Sequence, residues 1–186
     1  MSSSTVIGDI TLTLEELLKE RQRPKDSFLV SIKSPADEAV EPMRPKINFF
    51  LFRVEENEFA RNEEWSAVGT DALHYPPLVL SLYYVMTPYV EDKRDEQRIF
   101  GEAMRVFHDN SIIDPALLKG VLENSGEELK VDLCRFTMDQ MMQIWSAFTK
   151  PYRLSVVYQI RLVRIDSLVE QTTRRVIEHQ VFLEQA

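Results

Sequence analysis

The stretch Lys46-Ile47-Asn48-Phe49-Phe50-Leu51-Phe52-Arg53-Val54 decides the fold. Read as a strand, it puts Ile47, Phe49 and Leu51 on one side and Phe50, Phe52 and Val54 on the other. Successive residues of a strand point to opposite faces, so apolarity on both sides predicts an inner strand with cover above and below. Upstream, residues 34–45 carry prolines at 35, 42 and 45 and read as a loop, and residues 28–32 read as a short β-rich run. Downstream, residues 55–75 are long, polar and irregular, the kind of connection that in a small domain is usually functional or disordered. Pro76-Pro77 then opens a second apolar strand over residues 78–86.

The helices lie outside this pair. Ile7, Ile10, Leu14, Leu17 and Leu18 recur at helical spacing, and Pro24 ends the segment. Thr13 and Glu16 have capping-box spacing and offer an alternative start. Residues 92–108 read as a helix with Ile99, Ala103, Val106 and Phe107 as its stripe. Asp114-Pro115 starts a short helix with an N-cap and a first-turn proline. Residues 129–136 read as a strand, and Thr137 caps a helix carrying Met141, Ile144, Trp145 and Phe148. Residues 152–165 alternate as a long strand: Leu154, Val156, Tyr158, Ile160 and Leu162 on one face, Ser155, Val157, Gln159, Arg161 and Val163 on the other. A last β-like run spans residues 174–183. The order α-β-β-β-α-β-α-β-β predicts an α+β fold, one domain with a mixed sheet and packed helices. We place that domain at residues 1–166 and a β-prone tail at 167–186, either an edge strand of its own domain or an arm exchanged with a partner.

The chain has 186 residues, enough for a full core without staples. Its formal net charge is -8, and no dense Lys/Arg cluster appears, which argues against nucleic-acid binding. Apolar stretches are too short and interrupted to span a bilayer, and no basic residue precedes an apolar stretch at the start. We read a protein assembled in the cytoplasm.

Signals for chemistry are sparse. His74, His108 and His179 lie far apart, without a second His, Cys or acid at metal-ligand spacing. There is no Gly-rich phosphate loop and no G-x-S-x-G elbow. Glu15-Glu16, Glu55-Glu56, Glu63-Glu64 and Glu127-Glu128 read as solvated charge, because an acid/base pair needs contrasting environments. Cys134 sits in an apolar run and reads as a small buried hydrophobe. We expect no catalytic, metal or cofactor-binding residue and no enzyme activity. An enzyme with a scattered site would bring His108 or Cys134 against a carboxylate. Tyr83, Tyr84, Tyr89, Trp145 and Tyr152 fit either core packing or an interface.

Four stretches in register carry a resemblance: residues 45–57 with Arg61-Asn62, residues 76–89, residues 100–108 (Phe-Gly-Glu-Ala-Met-Arg-Val-Phe-His), and residues 144–158. Over residues 5–166 the chain resembles the N-terminal domain of the tail terminator, or cap, proteins of extracellular contractile injection systems, of the antifeeding-prophage and Photorhabdus-virulence-cassette type. Some members carry a further C-terminal region. The resemblance implies a structural role without covalent chemistry. Six copies would form a homohexamer ring at the end of the inner tube and the last sheath layer, stop polymerisation of both, and tie tube to sheath within the particle. Another structural part of the same particle, such as a baseplate or adaptor subunit, is the alternative. A closed ring needs two different faces on each subunit. The long loop, with Asn57, Arg61, Asn62 and Trp65, is one candidate contact. The tail from Gln171, with Val176, Ile177, Val181 and Phe182, is the other, suited to adding a strand to a neighbouring sheet.

Overall fold

The computed structural model describes residues 4–41, 44–57, 66–68, 72–123 and 128–172. Its centre is the strand pair read from sequence. Strand β2 (Lys46–Glu56) lies antiparallel to β5 (Leu78–Tyr89), with Ile47 opposite Pro88 and Leu51 opposite Tyr84. Beside β2 runs β1 (Leu29–Ser31), parallel and only three residues long, matching Lys46 to Asn48. On the far side of β5 come β8 (Val156–Ile165), β7 (Leu129–Cys134) and β6 (Ile112–Ile113), all antiparallel. The six-stranded sheet has the order β1-β2-β5-β8-β7-β6.

Both faces are covered, as β2 requires. Helices α1 (Val6–Arg21) and α2 (Lys93–Asp109) pack on one face, where Ile10, Leu14, Ile99 and Phe107 meet Phe49, Leu82, Tyr84 and Ile160. Helix α3 (Met138–Ala147) packs on the other, where Met141 and Trp145 meet Val157, Phe52 and Tyr83. Trp145 buries its indole and donates from Nε1 to Ser155 Oγ at 2.9 Å. Side chains cap the starts of α2 and α3. Asp92 accepts from the backbone N–H groups of Arg94 and Asp95, and Thr137 forms a capping box with Gln140.

Three local expectations change. Helix α1 begins at Val6, so Thr13 is an interior residue. Its buried hydroxyl donates to the Asp9 carbonyl at 2.8 Å and accepts from the Lys119 N–H at 3.1 Å, so it caps no helix. Strand β8 starts at Val156, after the turn that lets Ser155 meet Trp145. Its alternation also breaks. Leu80 faces Val163 and Leu82 faces Ile160, so residues 161 and 162 stand opposite Ser81. This bulge moves Val163 into the α1/α2 core, away from the face that Val157 shares with α3.

Two ion clusters fix the periphery. The Glu102 carboxylate is buried between Arg105 and Arg23: it accepts from Arg105 Nη2 at 2.7 Å, from the Arg23 backbone N–H at 2.8 Å and from Arg23 Nε at 2.9 Å. The Arg105 hydrogen bonds, then those of Arg23, outweigh burial and hold its carboxyl down at about 2, against an ordinary 4.5. Lys46 Nζ donates to Glu38 at 2.5 Å and to Glu41 at 2.8 Å, which ties residues 34–41 down onto β2. Burial pushes the Glu38 carboxyl up, but hydrogen bonds from Lys46 and Ser31 leave it below its ordinary value.

Phe49→Ala empties the centre of the aromatic core and is expected to cost about 3–5 kcal/mol in chemical denaturation; a loss under about 1 kcal/mol would show that this core is not the seat of stability. Glu102→Gln is expected to cost about 2 kcal/mol at pH 7, because it removes a charge-assisted network while both guanidinium groups still reach water. The Glu102 pKa is depressed by folding, so its contribution is present above 4.5 and is lost as pH falls toward 2. The gap between wild type and Glu102→Gln must therefore narrow below pH 4.5; a gap independent of pH would refute the assignment.

Candidate assembly surface

A second, smaller sheet hangs from one end of the first. It consists of β3 (Ser66–Val68), β4 (Ala72–His74) and β9 (Glu170–Thr172), in the order β3-β4-β9. The hairpin β3–β4 matches Ser66 with His74 and Val68 with Ala72. Strand β9 runs antiparallel to β4, with Glu170 opposite His74 and Thr172 opposite Ala72. The Tyr75 N–H donates to the Val169 carbonyl at 3.1 Å and carries that ladder one step toward the body. It stops there because Pro76 and Pro77 have no N–H to donate. The region read from sequence as one irregular loop, residues 55–75, therefore holds the end of β2 and a hairpin. Strands of three residues in a polar context carry too little periodicity to be seen in advance.

Where the two sheets meet, a cleft of about 400 Å³ opens between Glu56, Asn57, Tyr75, Pro77, Ile165 and Asp166. The Asn57 N–H donates to the Val79 carbonyl at 2.8 Å, so its backbone belongs to the β2–β5 ladder while the residue lines the cleft. The rim is apolar and wet. Leu168 is 98% exposed, and Val169, Tyr75 and Leu78 are each roughly half exposed. Single exposed apolar residues are ordinary, but four at one end of a domain, beside a cleft, form a candidate contact surface.

Of the residues singled out from sequence, Asn57 sits at this cleft. Arg61, Asn62, Trp65, Val176, Ile177, Val181 and Phe182 lie outside the described residues. The structure does bring their roots together. Residues 58–65 lie between β2 and β3, residues 173–186 follow β9, and the β4–β9 pairing joins the two roots at one end of the molecule. Sequence reasoning missed Tyr75, Leu78, Leu168 and Val169. The available signal was an apolar pair, Leu168-Val169, set between Asp166-Ser167 and Glu170-Gln171.

The aromatic set divides. Tyr84, Tyr89 and Trp145 are core residues. Tyr83 is half buried with the Arg53 guanidinium 5.5 Å from its ring centroid, and Tyr152 is exposed, edge-on to Trp145. A second apolar surface lies outside α3, where Met138 and Met142 are exposed. Glu15 pairs with Lys19 at 2.6 Å and Glu16 with Lys119 at 3.1 Å, so these neighbouring acids serve different partners. His108 lines a groove between α2 and β7, whereas Cys134 packs with α3 on the opposite face. Burial pushes the Cys134 thiol up, the reverse of what an activated nucleophile needs. Among the described residues no group of three His, Cys, Asp or Glu is placed to hold a metal ion, and no helix is long and apolar enough to cross a membrane.

Comparison with known proteins bears on this geometry. The family model of the Pvc16 N-terminal domain matches residues 9–179. Among solved structures, the chain is similar to the sheath/tube terminator of the PVC extracellular contractile injection system in its extended state, with a TM-score of 0.72 and 13% identity. It is also similar to the tube-terminating cap of the anti-feeding prophage, with a TM-score of 0.68 and 12% identity. The alignments cover 100% and 95% of this chain but only 65% and 61% of those proteins. No curated protein matches. The match along most of its length shows that the chain belongs to the Pvc16 N-terminal domain family.

Proposed function

We propose that this chain is a terminator subunit of a contractile injection particle. The observation that carries the reading is the likeness of its whole length to the PVC sheath/tube terminator, together with the family match. In this reading six copies assemble in the cytoplasm into a ring on the end of the inner tube. The ring ends growth of tube and sheath, ties the two together, and leaves the cell as part of the particle. No cofactor or covalent step is involved. The work is done by surface complementarity, and the cleft end with Asn57, Tyr75 and Leu168 supplies contacts to the tube or to a neighbouring copy. Exposed apolar side chains there gain energy only when a partner removes them from water, at about 25 cal/mol per Å².

Light scattering after size exclusion tests the ring. A hexamer of this 21.7 kDa chain has a mass of about 130 kDa. If the free protein is monomeric, six-fold density at the end of tubes mixed with it and with sheath protein is the expected result. Absence of both would sink the reading. Leu168→Asp is expected to leave the melting temperature unchanged, since Leu168 is 98% exposed. Its effect is on capping: tubes grown with this variant should lose their uniform length. Tubes of wild-type length would remove Leu168 from the contact.

A further inference from the structure

The six-stranded sheet ends in β1 on one side and β6 on the other. Edge strands offer unpaired backbone groups, and stable monomers usually blunt them with charge, proline or cover. Leu29-Val30-Ser31 and Ile112-Ile113 contain no charge and no proline. Instead, Leu29 is 53% exposed and Ile112 56%. The Leu29 N–H donates inward to the Pro45 carbonyl at 2.9 Å, so the alternation along β1 turns the N–H and C=O of Val30 outward. At the other edge the Val131 N–H donates to the Ser111 carbonyl at 2.8 Å, so Ser111 and Ile113 face inward. Ile112 then turns its C=O outward, and Asp114 its N–H. Among the described residues nothing pairs with these outward groups.

The two edges fit each other. Strand β1 is parallel to β2, and the antiparallel steps from β2 through β5, β8 and β7 bring β6 back to the same direction. Copies arranged head to tail therefore set β1 of one beside β6 of the next as a parallel pair. In the register that lets Val30 donate to the Ile112 carbonyl and accept from the Asp114 N–H, Leu29 stands opposite Ile112 and Val30 opposite Ile113. The side chains agree with this register. Val30 and Ile113 belong to the core under α1 and α2. Leu29 and Ile112, their chain neighbours, stand on the other face, so the two exposed apolar residues meet there. A slip of one residue would set each apolar side chain against the wrong face.

Charge follows the same alignment. Lys33, just beyond β1, is exposed and has no ion pair among the described residues. Asp114, just beyond β6, is exposed, and its carboxylate accepts from the Ala116 N–H at 2.8 Å. In the register above the two are diagonal neighbours on one face, within reach of a lysine side chain. The edges of one sheet lie about 24 Å apart at the ordinary strand spacing, so β1 does not reach its own β6. The cleft beside Leu168 lies at the strand ends, off both edges, and edge-to-edge contact leaves it free for the tube.

We propose that β1 of one copy pairs in parallel with β6 of the next, Leu29 against Ile112, so that the sheets of neighbouring subunits run on as one. The paired edges lie on opposite sides of each subunit, and every copy keeps the same face of its sheet on the same side. The contact is therefore head-to-tail and closes a ring rather than a two-fold dimer. The proposal rests on the ring reading above and specifies which surfaces make it.

The test is disulfide trapping in full-length chain with Cys134→Ser, which removes the one native thiol. Leu29→Cys chain is mixed with Ile112→Cys chain under mild oxidation, free in solution and with tube and sheath protein, with folding of each checked by circular dichroism. A cross-linked heterodimer is expected as the dominant product. Leu133→Cys in place of Ile112→Cys should give about tenfold less, since Leu133 is exposed on the opposite face of the sheet. In the double variant Leu29→Cys/Ile112→Cys, a ladder of linked multimers is expected. Absence of the 29–112 link in both settings would overturn the proposal. Dominant homodimers of either single variant would overturn it too, because they mark a two-fold contact. Leu29→Lys and Ile112→Lys change exposed side chains, so each should keep the wild-type melting temperature and lose the multimer; wild-type assembly by both would count against the edge contact. Particle imaging in parallel separates the two readings: a ring on tube ends without the link leaves the ring standing on other contacts, and no ring on tube ends removes the ring as well.

Discussion

The ring of Tyr84 lies on the ring of Phe49 at 4.5 Å and 4°, and the other elements are arranged around that stack. Phe107 of α2 meets Phe49 at 5.1 Å and Tyr158 of β8 at 4.9 Å, so one aromatic group joins β2, β5, β8 and the helical layer. The Tyr84 hydroxyl, 2.8 Å from Thr11 Oγ1, adds α1. Burial pushes this phenol up to about 12, so the hydroxyl stays protonated and the hydrogen bond persists through any physiological pH. Aromatic contacts of this kind stabilise beyond the area they bury and constrain geometry more than aliphatic ones do.

That centre was legible in the sequence because β2 and β5 are apolar on both faces, a pattern that only a strand covered on both sides satisfies. The helix start at Thr137 was legible because a cap is local chemistry. Long-range pairing was not. Nothing in Leu29-Val30-Ser31 announces a parallel partner, since a parallel register depends on a crossover and not on the strand itself. The bulge in β8 was invisible for the same reason: Leu162 and Val163 read as continued alternation, and only the partner β5 shows that the phase slips.

For the candidate site, sequence singled out the loop and the tail and treated them as two separate surfaces. The loop drew attention by its length and the tail by its β-propensity. What joins them is the register of β4 with β9, six backbone positions in all, and no local pattern encodes such a match. The exposed Leu168 is equally silent in sequence, because a leucine is apolar whether it is buried or standing in water.

The smallness of the second sheet has a thermodynamic consequence. Three strands of three residues, joined to the body by residues 75–77 and 166–169, contribute none of the described residues of the main core. The free energy to open that sheet is set by its own few ladder bonds, while β5 opens only when the six-stranded sheet does. Amide hydrogens at Leu73 and Gln171 therefore exchange with solvent through a shallow, local event, and those at Val85 and Met86 through global unfolding. Among the described residues there are thus two units of unequal stability, and the less stable one borders the cleft.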